Sequence, residues 1–159
     1  MLSFEMMALL PATLIGLWVA WSDLSSMKIP NKAVLALLAV FVVAGLLAFP
    51  LIDFGWRLVH FAVVLAVGFV LTIAGILGAG DAKFAAAMAP FIAASAATSV
   101  AAMFAVAAIV CFVSHRLLRI SPVRQMVPHW ESWERTRDFP MGLPLAITLI
   151  WYLARAAFG

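Results

Sequence analysis

Apolar runs of about the length that a lipid bilayer demands recur along this chain, at roughly 5–21, 32–50, 57–77, 82–97, 99–118 and 141–158. Crossing a hydrocarbon core of ~30 Å takes about 20 apolar residues as helix. The runs lack the strict alternation of a transmembrane barrel, and in lipid every backbone polar group must be satisfied internally, so helices are the remaining option. A mean hydropathy of +1.15 with 11% charged residues excludes a water-soluble globule. The expected fold is therefore all-α, a polytopic bundle of six transmembrane helices forming a single membrane domain over 1–159. No internal repeat or linker marks a second domain.

The stretch 82–118 is too long for one span and slightly short for two, and the distribution of basic residues decides the number. With two helices there, Lys28, Lys32, Lys83, Arg116, Arg119, Arg124, Arg135 and Arg137 share one side, and only Arg57 and Arg155 lie opposite. That asymmetry follows the positive-inside rule. It puts both termini on the outer, periplasmic side and the loops 22–31, 78–83 and 119–140 in the cytoplasm. Glu5 is followed by no basic residue before Lys28 and no small-x-small cleavage site follows the first run, so the first helix is expected to be retained.

Two of the four aspartates, Asp23 and Asp81, sit at the edges of apolar segments on the same predicted side. A carboxylate at a membrane boundary is costly unless it faces a bundle interior or a wet cavity, which makes it a functional candidate. Asp53, beside Pro50 and Gly55, and Asp138 read as solvated loop charges. Asp23 follows the first helix and meets its negative end, whereas Asp81 opens the fourth at its positive end. The dipoles alone would raise the pKa of Asp23 and lower that of Asp81. Paired carboxylates share a proton, so ionised Asp81 would activate a water while protonated Asp23 polarises a scissile carbonyl, with the roles reversed if burial or substrate outweighs the dipoles.

Gly78-Ala79-Gly80-Asp81-Ala82-Lys83 places two glycines before the second aspartate. They permit unusual backbone conformations and close approach of another chain, which suits a cleft for an extended peptide. The Gly-x-Gly-x-x-Gly dinucleotide pattern is not completed, and there is no strand-helix-strand unit around it. Lys83, two residues on, projects away from Asp81 and reads as a boundary anchor. Ile29-Pro30-Asn31 reads as a helix start with Asn31 as cap, and Pro140, Gly142 and Pro144 punctuate the start of the last helix.

The remaining polar residues are less specific. Cys111 is the single cysteine, which rules out a disulfide framework or a four-thiolate zinc site, and it is expected to pack. His129 with Glu131 and Glu134 has no metal-ligand spacing, while His60 and His115 lie on different helices, so neither metal nor cofactor is expected. Trp130 and Trp133 among the arginines of the 119–139 loop suggest a segment lying against lipid headgroups. Alanine-dense stretches, Ala85-Ala86-Ala87 and Ala93-Ala94-Ser95-Ala96-Ala97, suggest close helix packing. With the basic residues confined to loops, no nucleic-acid partner is expected.

Three pieces in order (Asp23 followed by Ile29-Pro30-Asn31, the Gly78–Lys83 stretch, and Pro140-Met141-Gly142-Leu143-Pro144-Leu145-Ala146) resemble the type IV prepilin peptidases, membrane aspartic proteases of the Gly-x-Gly-Asp class. The resemblance implies that Asp23 and Asp81 are catalytic at the cytoplasmic face of the inner membrane. It also implies a prepilin or pseudopilin substrate whose short basic leader is cut after a glycine and followed by a hydrophobic helix. Larger members look like a peptidase joined to an N-methyltransferase activity, with an extra cytoplasmic domain after the first helix that often carries Cys-x-x-Cys pairs. This chain has only a short connection there, so it is similar to the peptidase-only form of tight-adherence (Flp) pilus systems. Two other classes fit the residues: a proton-relay subunit of a small transporter, disfavoured by the apolar helix middles, and a non-catalytic pilus assembly component, disfavoured by the intact aspartates and glycines.

Overall fold

The computed structural model of the chain describes residues 3–135 and 138–159, so Arg137 lies outside the described residues. Regular structure among them is entirely helical: α1 (Phe4–Ser26), α2 (Asn31–Ala48), α3 (Leu51–Ile73), α4 (Ala79–Met88), α5 (Ala97–Arg119), α6 (Val123–Met126) and α7 (Gly142–Phe158). Short 3-10 turns cover Ala89–Phe91, Ala94–Ala96 and Glu131–Trp133. Four helices are long and apolar enough to cross a membrane: α1, α2, α3 and the stretch Ala94–Arg119 that contains α5. The last helix, α7, is apolar over 17 residues, and α4 has only 10.

Helix ends differ from the sequence expectation in ways that matter for the site. The first helix runs on to Ser26, so Asp23 lies within its last turn, where its carbonyl accepts the Met27 N–H at 2.9 Å. Met27 closes the helix in the left-handed conformation (φ 51°). The cap position of α2 is Pro30, without a side-chain bond, and Asn31 instead accepts from Lys83 Nζ at 3.2 Å. Lys83 is thus a tie between α4 and α2, where an anchor alone was expected. The third helix begins straight after Pro50, which puts Asp53 in its first turn, a position favourable for an acid, and not in a loop.

The expected continuous helix over 82–97 starts earlier and stops at Met88. Pro90 has no N–H and cannot continue the ladder, so the chain passes through two 3-10 turns before α5. Non-helical backbone at membrane depth survives only where protein satisfies it. Arg57 of α3 donates to the carbonyls of Pro90 (2.9 Å) and Phe91 (3.2 Å), and Tyr152 Oη of α7 accepts the Ala93 N–H at 3.1 Å. The guanidinium also lies over the Phe49 ring at 4.2 Å, so the cation sits on aromatic faces and not among lipid tails.

The closest packing is between α1 and α7, with α2 on the other flank of α1 and α4 against α2, α3 and α7. At Gly16 on α1 a β-carbon would come within 3.3 Å of Ala146, which is why the α1–α7 crossing is tight. The same device joins α3 to α4, since a β-carbon on Gly68 would meet Ala82 Cβ at 2.9 Å. Phe4, Phe41, Phe91, Leu37, Phe84 and Leu149 fill the core between these helices.

Candidate active site

Asp23 is 5% exposed, and its Oδ2 accepts the backbone N–H of Gly142 at 2.7 Å. That N–H belongs to the first residue of α7, whose opening donors have no partner within the helix. Aspartate on the last turn of one helix therefore borrows the positive end of another. A β-carbon on Gly142 would lie 2.9 Å from Asp23 Oδ2 and 3.1 Å from Asp23 Cβ, so the carboxylate can occupy this position only against a glycine.

Asp81 stands in the first turn of α4, as the sequence predicted, and takes a hydrogen bond from the Gly78 N–H. The helix-dipole argument nevertheless gives the wrong direction for it. Burial first, and then the negative charge of Asp23, push the Asp81 carboxyl up to about 6, against the smaller downward pull of Gly78. Desolvation penalises the charged form more than one helix terminus stabilises it. The two aspartates are linked to the same end of the bundle through their neighbours, Gly142 on Asp23 and Ile29 against Gly80.

The glycines before Asp81 serve space and not unusual torsions. Neither has a positive φ; among the described glycines that is found at Gly75. A β-carbon on Gly78 would run into Asp81 Oδ2 at 2.5 Å, and one on Gly80 would press on Ile29 Cβ at 3.2 Å. The three sequence pieces thus meet at one end of the bundle: Ile29 against Gly80, Asn31 with Lys83, and Gly142 with Asp23. Pro140 and Pro144 are buried beside them, Pro144 in the first turn of α7, where it was expected.

The segment after α5 is mostly exposed, but its two tryptophans, expected against lipid headgroups, pack on protein. Trp133 is 1% exposed, stacks on His115 of α5 (4.8 Å between centroids), and donates from Nε1 to Val127 O at 2.9 Å. Trp130 stacks on Trp133 and meets Trp21 of α1 edge-on at 5.4 Å. The loop is a strap from α5 to the turn of α1 that carries Asp23. The contact of His115 with Trp133 was not legible in the sequence, because nothing local ties one to the other. Glu131 and Asp138 pair with Arg135, each at 3.6 Å on the surface, and Cys111 is buried as expected.

Asp81 also faces a cavity of about 660 Å³ bounded by α3, α4, α5 and α7. Its walls are almost wholly apolar, with His60 and Thr148 the other polar residues. The hydroxyl of Thr148 is already engaged with the Pro144 carbonyl at 2.7 Å. Ala93, Ala94 and Ala97, expected to be packed between helices, line this cavity instead, and Ala94 and Ala97 are exposed.

A buried carboxylate held by a backbone donor, beside a second that keeps its proton toward neutral pH, is an arrangement able to run acid/base chemistry on a carbonyl. Among families of known proteins, the model of the type IV leader peptidase family matches residues 9–114. The match includes both aspartates and stops short of Gly142. No curated protein and no solved structure matches the chain.

Proposed function

Because the chain belongs to the type IV leader peptidase family, and is thus a prepilin-type leader peptidase, we propose that it is an aspartic endopeptidase with Asp23 and Asp81 as its catalytic pair. The observation that carries this reading is that three contacts, Gly142 with Asp23, Ile29 with Gly80 beside Asp81, and Asn31 with Lys83, gather the two aspartates at one end of the bundle. The roles are the reverse of the dipole expectation. Asp23, given a hydrogen-bond donor by Gly142, is the carboxylate that takes a proton from water as the water attacks the scissile carbonyl. Burial raises both carboxyls above the ordinary range, so the pair shares a proton, and Asp81, which faces the apolar cavity, donates it to the carbonyl oxygen. Collapse of the tetrahedral intermediate breaks the C–N bond; the proton taken by Asp23 goes to the leaving amine, and a hydroxyl proton of the intermediate returns to Asp81 as the C=O re-forms.

The substrate is a type IV-like prepilin or pseudopilin, of the Flp kind, cut after the glycine that ends a short basic leader. The chain is a single peptidase domain of six membrane crossings in the bacterial inner membrane, with both termini outside and the two aspartates at the cytoplasmic boundary. The short link from Asp23 to α2 supports a peptidase without methyltransferase activity.

The test is cleavage of a co-expressed prepilin from the same genome, read as a mobility shift in membranes. Wild type is expected to cleave, and Asp23→Asn and Asp81→Asn each to lose cleavage while remaining inserted. Asp53→Asn and Asp138→Asn serve as active controls. Wild-type turnover by either of the first two variants would remove that aspartate from the mechanism.

A further inference from the structure

We propose that the apolar helix following the substrate's cleavage point docks in the cavity beside Asp81, entering sideways from the lipid between α3 and α5. This rests on the leader peptidase reading and adds to it a location, a route and the residues that set specificity.

The gap lies where a helix could be packed and none is. Both α3 and α5 border the cavity, yet they are not packed on each other. The third helix has one buried residue, Gly68, and its Val63, which lines the cavity, is 55% exposed. The floor is α4 with α7. Because α4 stops at Met88 and its continuation is drawn back onto Arg57 and Tyr152, the layer between α3 and α5 is left unfilled.

The chemistry of the walls selects the occupant. An extended peptide would bring unsatisfied N–H and C=O groups into a lining that offers almost no partners, at several kcal/mol for each such group in an apolar medium. A helix satisfies its own backbone and needs only surface to pack on. Ala97 and Ala101 of α5 supply small side chains that let another helix approach closely. They do not define the site alone; the cavity and its continuity with Asp81 do.

Direction follows from the same continuity. Asp81 and Ala93 both line the cavity, separated along the chain by most of α4 and the turns beyond it. Ten helical residues rise about 15 Å, so roughly the first ten residues after the cut extend along the groove while the residues before the cut stay beyond Asp81. A leader that remains outside the apolar groove is consistent with a basic leader in water.

The test has two arms, with a prepilin carrying the basic leader as probe. In the first, Ala97→Phe and Ala101→Phe fill the groove at exposed positions that the fold tolerates. KM for the full prepilin should rise about tenfold or more, and cleavage of a truncated peptide lacking the apolar helix should be unchanged. In the second, a Cys111→Ala, Asp81→Asn background traps uncleaved substrate. Single cysteines at Ala101 or Val64 should form disulfides with substrate cysteines placed in the first ten residues after the cut. A cysteine at Leu35, exposed on α2, should not. Cleavage by wild type with unchanged KM in both Phe variants, or cross-linking at Leu35 as strong as at Ala101, would overturn the groove and leave the peptidase reading standing. Failure of wild type to cleave the prepilin would remove that reading and the groove's occupant together.

Discussion

Gly142 donates its backbone N–H to Asp23 Oδ2 at 2.7 Å, joining the start of the last helix to the end of the first. The bond needs a residue without a side chain, since a β-carbon at position 142 would sit 2.9 Å from the oxygen that accepts it and 3.1 Å from Val19 Cγ1. Gly142→Ala should therefore displace the Asp23 carboxylate while leaving the bundle inserted. Misplacing a reacting group by about 1 Å lowers rates by up to ~10²-fold, so a fall in kcat of ten- to a hundredfold with little change in KM is expected. Steady-state cleavage in detergent checks it, and an Ala variant with wild-type kcat would deny the contact a part in catalysis.

Asp81 gives a pH dependence of stability whose sign can be worked out. Its folded pKa of about 6 lies above the ordinary 3.8, so between those values the folded chain binds a proton that the unfolded chain has lost. Stability from this group is complete below about pH 4 and is lost as pH rises through 6. Asp81→Asn cannot titrate and should show no such loss. Its Tm should exceed that of wild type by roughly a few degrees at pH 7, with the difference vanishing at pH 4. A difference independent of pH over that window would sink the argument.

Arg57 is the residue whose loss should damage the fold most for its size. It donates to the Pro90 and Phe91 carbonyls and lies over the Phe49 ring. Arg57→Met keeps the aliphatic stem and strands both carbonyls, at about 2–4 kcal/mol in all. Tyr152→Phe, which removes one acceptor from the Ala93 N–H, should cost about 1 kcal/mol. Denaturation in mixed micelles should rank them in that order; the opposite order would mean that the guanidinium is not what holds the break.

The tie between Lys83 and Asn31 is exposed and should matter little. Lys83→Ala and Asn31→Ala are each expected to cost under about 1 kcal/mol and to leave cleavage within a few-fold of wild type. The double variant should be no worse than the larger single one, which a double-mutant cycle measures. Additive losses would show that the two side chains act separately.

Sequence alone determined the features that depend on local free energies. Burial of apolar side chains in lipid is summed along the chain, so the helical class was readable from composition and run length, and α2 and α5 were placed to within about two residues. Asp23 and Asp81 stood out because a charge next to an apolar run is anomalous in its own neighbourhood. The punctuation at Pro30, Pro140 and Pro144 was legible for the same reason. Only the tertiary structure decided which anomalies meet. Gly142 and Asp23 are distant in sequence, and what joins them is one unpaired N–H and the absence of one β-carbon. Helix dipoles misjudged Asp81 because its proton affinity is set by desolvation and by the Asp23 charge, both products of packing. The early end of α4 escaped notice because Pro90 shows where a helix can stop, while Arg57 and Tyr152, which make stopping there tolerable in a membrane, come from other helices. The strap from His115 through Trp133 to Trp21 and the cavity bounded by α3, α4, α5 and α7 are likewise shapes that arise between elements, where no periodicity within an element can record them.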